Sequence, residues 1–466
     1  MSDTPTPYKP GLISRSRGAK LLIVCCLAVL MSIPAGFVFL LLHDRSHRAE
    51  EVADEIGGLM GGPQTFMGPV ISVPYTAPVR GGDGDAVKVE SGNLIVFPVS
   101  GDAQVTSKSE VRSRSLFRVP VYAARLNFTA RFDLSQVASP VPNATLDWGH
   151  ARLMTGASDS RGARSDIVAH VSGPGGAQAL TLAPDAGAAS MDGGDKFDLF
   201  SASLDRLDLT QPLDVDLGMN FTGAQKIGVL AFAKSTTVAI GGDWNWPSFG
   251  GGFLPATRAF HHDGAQPLMA GEQNMASGFK ATWSVPFVAR GLPPVITQAG
   301  LSSLDKSELS VAFVEPTNPY QNVGRSLKYA LLFVGLVFLT FFLFESLTRT
   351  ELHPAQYILI GLAQITFYLL LLSLAERIGF DAAFAAAAAA TVGLISAYAG
   401  MVFRSLWRGV AALVVFGLLY GLIYILMRME DYALLVGAAS AFLTIAAVMI
   451  LTRNLNWYGG REGERG

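Results

Sequence analysis

The feature that most constrains this chain is a series of apolar runs, each long enough to cross a lipid bilayer. Residues 21–42 carry no charge, and further runs occupy 329–347, 355–375, 378–403, 409–427 and 432–451. About 20 helical residues are needed to cross a hydrocarbon core of ~30 Å. Since a spanning segment must satisfy its own backbone hydrogen bonds in lipid, the sequence predicts six transmembrane helices.

The first run is interpreted as an uncleaved membrane anchor. A secretory signal peptide has an apolar stretch of about 7–15 residues followed by a cleavage site with small residues. This run is longer and continues into His43, Asp44 and Arg45. Both cysteines, Cys25 and Cys26, lie within it. The rest of the chain therefore has no disulfide to support its fold.

Lysine and arginine near the ends of the runs predict the orientation, because cytoplasmic loops carry an excess of these residues. With the N-terminus in the cytoplasm, the short outer loops carry only Arg377 and Arg428. The cytoplasmic side then carries Lys9, Arg15, Arg17, Lys20, Arg349, Arg404, Arg408, Arg453, Arg461 and Arg465. The prediction is a multi-pass membrane protein with cytoplasmic tails at 1–20 and 452–466, a first helix at 21–42, and five helices within 329–451.

The segment 43–328 is predicted to form a large β-rich domain on the extracytoplasmic side. Helical spacing of Val52, Ile56 and Leu59 first extends the anchor helix beyond the membrane. The period then changes to two: even positions from Tyr122 to Leu134, and odd positions from Leu213 to Phe221, are apolar. Such alternation is typical of strands with one buried face. Turn-rich breaks at 81–86, 172–176 and 186–194 favour a sandwich-like arrangement.

An internal echo suggests two duplicated β modules. Asn127-Phe128-Thr129 and Asn220-Phe221-Thr222 each end an alternating run that starts after a proline. Each triplet is followed some twenty residues later by Asp-Trp, at Asp147 and Asp243. Coincidence among residues common in strands is the competing interpretation.

Composition and motifs favour neither enzymatic chemistry nor nucleic-acid binding. The formal net charge is −2, whereas a phosphate-binding surface needs concentrated Lys and Arg. Phosphate-binding loops, zinc-protease helices, nucleophile elbows and dinucleotide fingerprints do not occur. The sequence predicts no cofactor and no metal site. The one histidine cluster, His261-His262-Asp263, is interpreted as an exposed polar turn.

Polar residues inside the runs are the candidates for function, because burying them in lipid is costly. Gln364 is predicted midway along the third span, where an interhelical hydrogen bond is favoured over the lining of a pathway. Glu345 and Glu376 are predicted near the membrane surfaces, where each can either extend its carboxylate to water or form a pair, with Arg377 as the candidate partner of Glu376. Small residues at four-residue spacing, such as Gly417 and Gly421, indicate close helix packing and allow a homo-oligomer.

The second half of the chain resembles the CreD family of inner-membrane proteins. The resemblance is carried by residues 351–357, 361–363 and 367–376, including Glu351, His353, Pro354 and Gln356. It also covers Tyr320, residues 328–333, Phe344-Glu345, residues 430–435, Thr452-Arg453 and Trp457-Tyr458. In the middle segment it covers residues 119–122, 253–255, Trp283 and 289–291. Arg377 and Asn456 depart from the family pattern, which puts a pairing of Arg453 with residue 456 in doubt.

This resemblance implies a bacterial inner-membrane location with the domain at 43–328 in the periplasm. It also implies a role in the integrity of the Gram-negative cell envelope and implies no catalytic or ligand-binding residues. The leading hypothesis is a non-enzymatic protein whose periplasmic domain contacts other envelope proteins, with the lipid bilayer as its other partner. The alternatives are a transporter or channel that uses Gln364, and a protein that couples periplasmic stress to a signalling partner. An enzyme acting on lipid or peptidoglycan ranks last.

Protease digestion tests the predicted topology. Protease added to the periplasm should cut within residues 43–328 and leave both tails intact, because the bilayer shields them. Epitope tags at the two termini would report their protection, and detergent-permeabilised cells supply the control. Cleavage of a tag in intact spheroplasts would contradict this orientation.

Overall fold

The computed structural model describes residues 17–80, 87–114, 117–135, 137–174, 176–190, 196–261, 272–314, 319–348 and 352–428, with scattered positions between 435 and 453. The chain forms two compact units. The membrane unit comprises Met1–Ala49 and Thr317–Gly466, and the sheet unit comprises Glu50–Pro316. The sheet unit is thus narrower at both ends than the predicted segment 43–328.

Long apolar helices dominate the membrane unit. The helices are α1 (Arg17–Leu30), α2 (Ser32–Leu59), α4 (Pro319–Lys328), α5 (Ala330–Thr348), α6 (Pro354–Ile378), α7 (Phe380–Val402) and α8 (Leu406–Arg428); the short α3 (Phe287–Arg290) belongs to the sheet unit. Among the described residues, four helical segments are long and apolar enough to span a membrane, or five if the bent pair α4 and α5 counts as one span. The predicted run 432–451 lies almost entirely outside the described residues, so the sixth helix stays a prediction.

The first apolar run is a helix with one break, at Met31. Pro34 has no N–H group and therefore cannot donate to the carbonyl of Leu30, four residues earlier. The helix resumes immediately, since the N–H of Ala35 donates to the carbonyl of Met31 over 3.2 Å. Helix α2 then continues to Leu59, which confirms the helical extension. It ends where Gly61 and Gly62 adopt positive φ angles of 96° and 64°.

Residues 319–328 differ from the expectation, because they form a helix of the membrane unit and no part of the sheet unit. Tyr320, Val323 and Leu327 lie on its buried side. Helix α4 meets α5 at an angle of 50°. Because one face of α4 is polar, its sequence is not a uniformly apolar run and does not predict a membrane helix.

The described residues of the sheet unit form eighteen strands. They are β1 (Gln64–Arg80), β2 (Val87–Val96), β3 (Ser100–Arg114), β4 (Phe117–Phe132), β5 (Thr145–Leu146), β6 (Arg152–Ala157), β7 (Ile167–Gly173), β8 (Gly176–Ser190), β9 (Lys196–Ser203), β10 (Leu213–Ala224), β11 (Lys226–Leu230), β12 (Ser235–Gly242), β13 (Pro247–Gly251), β14 (Thr257–His261), β15 (Glu272–Met275), β16 (Phe279–Val285), β17 (Val295–Thr297) and β18 (Glu308–Phe313). The expected turn at 172–176 is confirmed between β7 and β8. Strand β8, however, continues through residues 186–190, where a break was expected.

These strands form two sheets that share one strand. In the first sheet the order is β8–β9–β6–β1, and the other edge of β1 pairs with β2 and with β11. Strand β2 continues this sheet to β17, and β11 continues it to β18 and β13. In the second sheet the order is β15–β14–β16–β12–β3–β4–β10–β7–β8. One hydrophobic core contains side chains of both sheets, as in a sandwich.

The predicted alternation is confirmed in the strands that carry it. From Tyr122 to Phe132 the even positions of β4 are buried and the odd positions are exposed. Strand β10 repeats the pattern from Leu213 to Phe221. The two strands are antiparallel neighbours, with Leu213 opposite Phe132 and Ala224 opposite Val121. They share one core within one unit, and the internal duplication stays a prediction.

The ring of Phe232 fills a slot between the two sheets that exists because two residues lack side chains. A Cβ atom added at Gly68 of β1 would lie 2.6 Å from the Phe232 ring. One added at Gly101 of β3 would lie 2.5 Å from it. Phe232 is completely buried and meets Phe128 edge-on, with ring centroids 5.6 Å apart. This contact fixes the spacing of the sheets at that level.

The predicted close helix packing occurs at glycines other than those expected. Within the described residues, a Cβ atom at Gly417 or Gly421 would meet nothing within 4 Å. A Cβ atom at Gly400 of α7 would instead lie 3.5 Å from Gly409 of α8. At Gly361 of α6 it would lie 2.6 Å from the Sδ atom of Met31. Self-association through Gly417 and Gly421 stays a prediction.

Substitution of Gly101 tests the slot. Gly101→Val should lower the free energy of unfolding of the sheet unit by about 1–3 kcal/mol, because the added atoms overlap the Phe232 ring. Thermal unfolding of the full-length protein, followed by the tryptophan fluorescence of the sheet unit, measures the loss. Gly58→Ala is the matched control, since its Cβ would have open space in a helix and should stabilise by about 0.5–1 kcal/mol. Equal stability of the two variants would contradict the slot.

Candidate functional site

The membrane unit contains a buried carboxylate cluster near the start of α6, here called the Glu345 cluster. Glu345 of α5 is only 7% exposed. Its Oε2 atom accepts a hydrogen bond of 3.0 Å from the hydroxyl of Tyr357 on α6. Its Oε1 atom accepts from the Nζ atom of Lys20 on α1 and forms an ion pair with it. Three helices therefore meet at one carboxylate.

A second cluster of the same composition lies near the end of α6 and is called the Glu376 cluster. The Oε1 atom of Glu376 accepts a 3.0 Å hydrogen bond from the hydroxyl of Tyr320 on α4. The Nη1 atom of Arg45 on α2 lies 3.7 Å from the same oxygen. The side chain of Glu376 is 8% exposed. Arg377, the partner expected from the sequence, does not occupy this position.

The two clusters are separated by about one membrane thickness. Tyr357 and Glu376 lie on the same helix, and at 1.5 Å per residue their positions are about 28 Å apart along its axis. This matches the ~30 Å hydrocarbon core of a bilayer. The clusters therefore fit the two edges of the hydrocarbon core, where a carboxylate and its cation are less costly to bury than at mid-depth.

Each cluster combines one anion, one cation and one neutral hydroxyl donor. Such a set carries no net charge, and the tyrosine satisfies a second acceptor position of the carboxylate. Burying a charge without a partner costs several kcal/mol, whereas a paired and hydrogen-bonded charge is tolerated. The arrangement therefore ties helices together and depends on all three side chains.

Gln364 lies between the clusters on the buried side of α6 and is 3% exposed. Its Nε2 atom donates to the carbonyl of Phe333 on α5 over 3.4 Å. This is the interhelical hydrogen bond that the sequence favoured. Its Oε1 atom has no hydrogen-bond partner within the described part of the chain.

Three candidates from the polar run before α6 form the start of that helix. Pro354 is its first residue, and the Nδ1 atom of His353 accepts a 3.2 Å hydrogen bond from the N–H of Ala355. The Oε1 atom of Gln356 accepts a 2.9 Å hydrogen bond from the N–H of His353. This reciprocal capping box defines where α6 begins. His353, Pro354 and Gln356 therefore have a structural role that accounts for their spacing.

The remaining candidates are Glu351, Arg453 and Trp457. Glu351 and Trp457 lie outside the described residues. Arg453 is exposed, and its neighbours along the chain lie outside the described residues. Within the described ranges, no three His, Cys, Asp or Glu side chains are grouped to hold a metal ion. Among the described candidates, Glu345, Glu376 and Gln364 are the ones with side-chain hydrogen bonds to other helices.

Sequence reasoning missed the partners Lys20, Arg45, Tyr320 and Tyr357. A signal was present, since Lys20 and Arg45 flank the first apolar run at its two ends. Glu345 and Glu376 end the second and third runs. Charges at matching depths in neighbouring spans are the expected partners of one another.

The comparisons with known proteins match nearly the whole chain. Residues 16–458 match the family described as inner membrane protein CreD. The chain is 28% identical over 434 residues to the inner membrane protein CreD of Escherichia coli strain K12, covering 92% of this chain and 91% of the relative. The match includes the helices that carry both carboxylate clusters.

Removing Lys20 tests the Glu345 cluster. Lys20→Met should destabilise the membrane unit by about 3 kcal/mol, because it leaves a buried carboxylate without a counter-ion. Unfolding in mixed micelles would measure the loss, and the double variant Lys20→Met/Glu345→Gln should recover part of it. Arg48→Met is the control, since it removes an exposed pair with Asp44 worth at most ~1 kcal/mol. An equal effect of Lys20→Met and Arg48→Met would argue against a buried pair.

Proposed function

The chain belongs to the CreD family of inner membrane proteins, and on that premise we propose that it supports cell-envelope integrity as a non-enzymatic membrane protein. In this proposal the sheet unit lies in the periplasm and binds other envelope proteins. Both termini lie in the cytoplasm, in agreement with the distribution of Lys and Arg.

The proposal is carried by the contacts that the two buried carboxylates make. Glu345 and Glu376 each bind a cation and a tyrosine from two other helices. Carboxylates of a proton or ion pathway must exchange partners during transport, whereas these hold helices together. These contacts favour a fixed helix bundle that anchors the sheet unit over a bundle that opens and closes during transport.

The sheet unit supports the proposal by its size and construction. It comprises Glu50–Pro316 and has one core that contains side chains of both sheets. Its outer faces carry the polar residues of the alternating strands, such as Arg125, Thr129 and Asp216, which are exposed. A scaffold of this kind can present loops and edges to partners without a catalytic centre.

A transporter is the second candidate, and two atoms favour it. The Oε1 atom of Gln364 and the Oγ atom of Ser396 are buried without a hydrogen-bond partner among the described residues. Unsatisfied polar atoms at membrane depth are a feature of pathways that hold water or substrate. Gln364 also forms an interhelical hydrogen bond, so we rank this function below the first.

Complementation of a deletion strain distinguishes the two functions. Deletion should increase sensitivity to detergents, envelope-targeting antibiotics and colicins, and both the wild type and Gln364→Leu should restore resistance. Thr366→Leu is the matched control, because Thr366 is exposed on the same helix. Failure of Gln364→Leu alone, at normal protein levels, would favour the transporter. Unchanged sensitivity of the deletion strain would argue against a role in envelope integrity.

A further inference from the structure

Arg290 is a buried cation with no counter-ion among the residues that the structure describes. It is the last residue of α3 and only 6% exposed. Its Nε, Nη1 and Nη2 atoms all lack a hydrogen-bond partner within the described part of the chain. The guanidinium stacks over the ring of Phe97, with its central carbon 3.8 Å from the ring centroid.

This environment leaves most of the recognition capacity of the guanidinium unused. The group has five N–H donors in a planar fork, and a ring face supplies no acceptor oxygen. Burial lowers the pKa of Arg290 to about 10, so the group is still charged at neutral pH. Buried arginines are ordinarily paired, because an unpaired buried charge is strongly destabilising. The described residues supply no anion to Arg290, so its guanidinium can take one from a ligand.

Strand register places Arg290 at one end of the sheet unit. The chain enters the sheets at Gly62, whose carbonyl accepts from Ala224, and leaves them at Phe313, whose N–H donates to Gln225. At that end, Ala224 lies opposite Val121. Strand β16 runs away from this end of the sheet. Its last residue, Val285, pairs with Thr236 of β12, and Thr236 lies opposite Gly101 of β3. Helix α3 follows directly, so it lies at the end farthest from where the chain enters and leaves.

Exposed apolar side chains lie at the same end. Val288 of α3 is 91% exposed, and Phe287 is 44% exposed. Leu254 is 72% exposed and follows Phe253, whose carbonyl accepts a 3.0 Å hydrogen bond from the indole of Trp283 on β16. We call Leu254, Phe287 and Val288 the distal patch. Exposed apolar side chains that lie together are a feature of surfaces that bind a partner.

We propose that the distal patch binds a segment of another envelope protein that carries a carboxylate between apolar side chains, and that Arg290 is the residue that binds this carboxylate. The guanidinium fork matches the two oxygens of a carboxylate in a bidentate pair. Because its nitrogens are covered, α3 must move aside to admit the ligand. The short helix is bounded by Pro286 and by Gly291, which has a φ angle of 71°. This inference rests on the proposed function and specifies the surface and the chemistry of the partner.

Binding of small probes to the purified full-length protein in nanodiscs tests the chemistry. 4-Phenylbutyrate has both an apolar group and a carboxylate, whereas 4-phenylbutanol lacks the charge. Ligand-observed NMR should show tighter binding of the acid by the wild type and equal binding of both by Arg290→Met. Arg112→Met, which removes an exposed arginine paired with Glu110, is the control and should behave as the wild type. Equal binding of acid and alcohol by the wild type would overturn the proposal.

Stability of the same variants distinguishes a ligand-binding arginine from a structural one. Arg290→Met removes an uncompensated charge and keeps a long apolar chain over Phe97, so its Tm should equal or exceed that of the wild type. A residue whose role is to hold α3 in place would give the opposite result. A clear fall in Tm would therefore overturn the proposal.

Crosslinking in living cells tests the partner. A photo-reactive residue at Val288 should give a crosslink that Arg290→Met abolishes, and the crosslinked peptide should contain Asp, Glu or a C-terminal carboxylate. Val89, another exposed valine of the sheet unit, is the matched control position. A crosslink to lipid, or one that persists in Arg290→Met, would overturn the proposal. If Arg290→Met loses the crosslink while deletion of the protein leaves the envelope unchanged, the proposed function fails and this inference stands.

Discussion

The cost of burying a carboxylate at the edge of a lipid phase determines how the helices of the membrane unit meet. Glu345 and Glu376 are each almost fully covered, and each is neutralised by a cation from the first helix, Lys20 or Arg45. A tyrosine hydroxyl then satisfies a further acceptor position without adding charge. Since both clusters include a residue of α6, this helix is held at two depths about one bilayer thickness apart.

Between these two levels the packing is apolar and depends on a local irregularity. Pro34 interrupts the first helix, and Met31 lies at the interruption. The Sδ atom of Met31 occupies the space that a side chain at position 361 would need. Gly361 is one turn before Gln364, whose amide donates to the carbonyl of Phe333. The centre of the bundle thus combines one close backbone approach with one polar contact. The ion pairs of Glu345 and Glu376 lie at its edges.

How far the sequence predicts this protein follows from the range of each interaction. Apolar runs and two-residue alternation are local patterns, and they predicted α5 to α8 and the buried faces of β4 and β10. The helix α4 was missed because its apolar residues occupy one side only. The order of the strands depends on contacts between distant segments, such as Ser235 opposite Ser100. Local periodicity carries no information about such pairs.

The same contrast between local patterns and contacts of distant segments applies to the candidate site. Glu345, Glu376 and Gln364 were found because a polar residue within an apolar run is visible in the sequence. Their partners were not, since Lys20 and Glu345 are joined only by the fold. The partner predicted for Glu376 was its neighbour Arg377, and this was wrong because adjacent residues on a helix project in directions about 100° apart. Arg45, from another helix, reaches the carboxylate instead.

The buried charges of the two units differ in their partners. This difference bears on why Arg290 has no hydrogen-bond partner for its guanidinium among the described residues. In the membrane unit, where ions are most costly to bury, Glu345 and Glu376 have acquired both a counter-ion and a hydroxyl donor. In the sheet unit, where water is close and a surface position would cost nothing, Arg290 is buried over Phe97 with its donors unused. An apolar residue of similar length at position 290 would avoid the cost of burying this charge. Keeping a destabilising charge is physically reasonable when a ligand supplies the missing anion, because the stability lost in the free protein is recovered as binding energy.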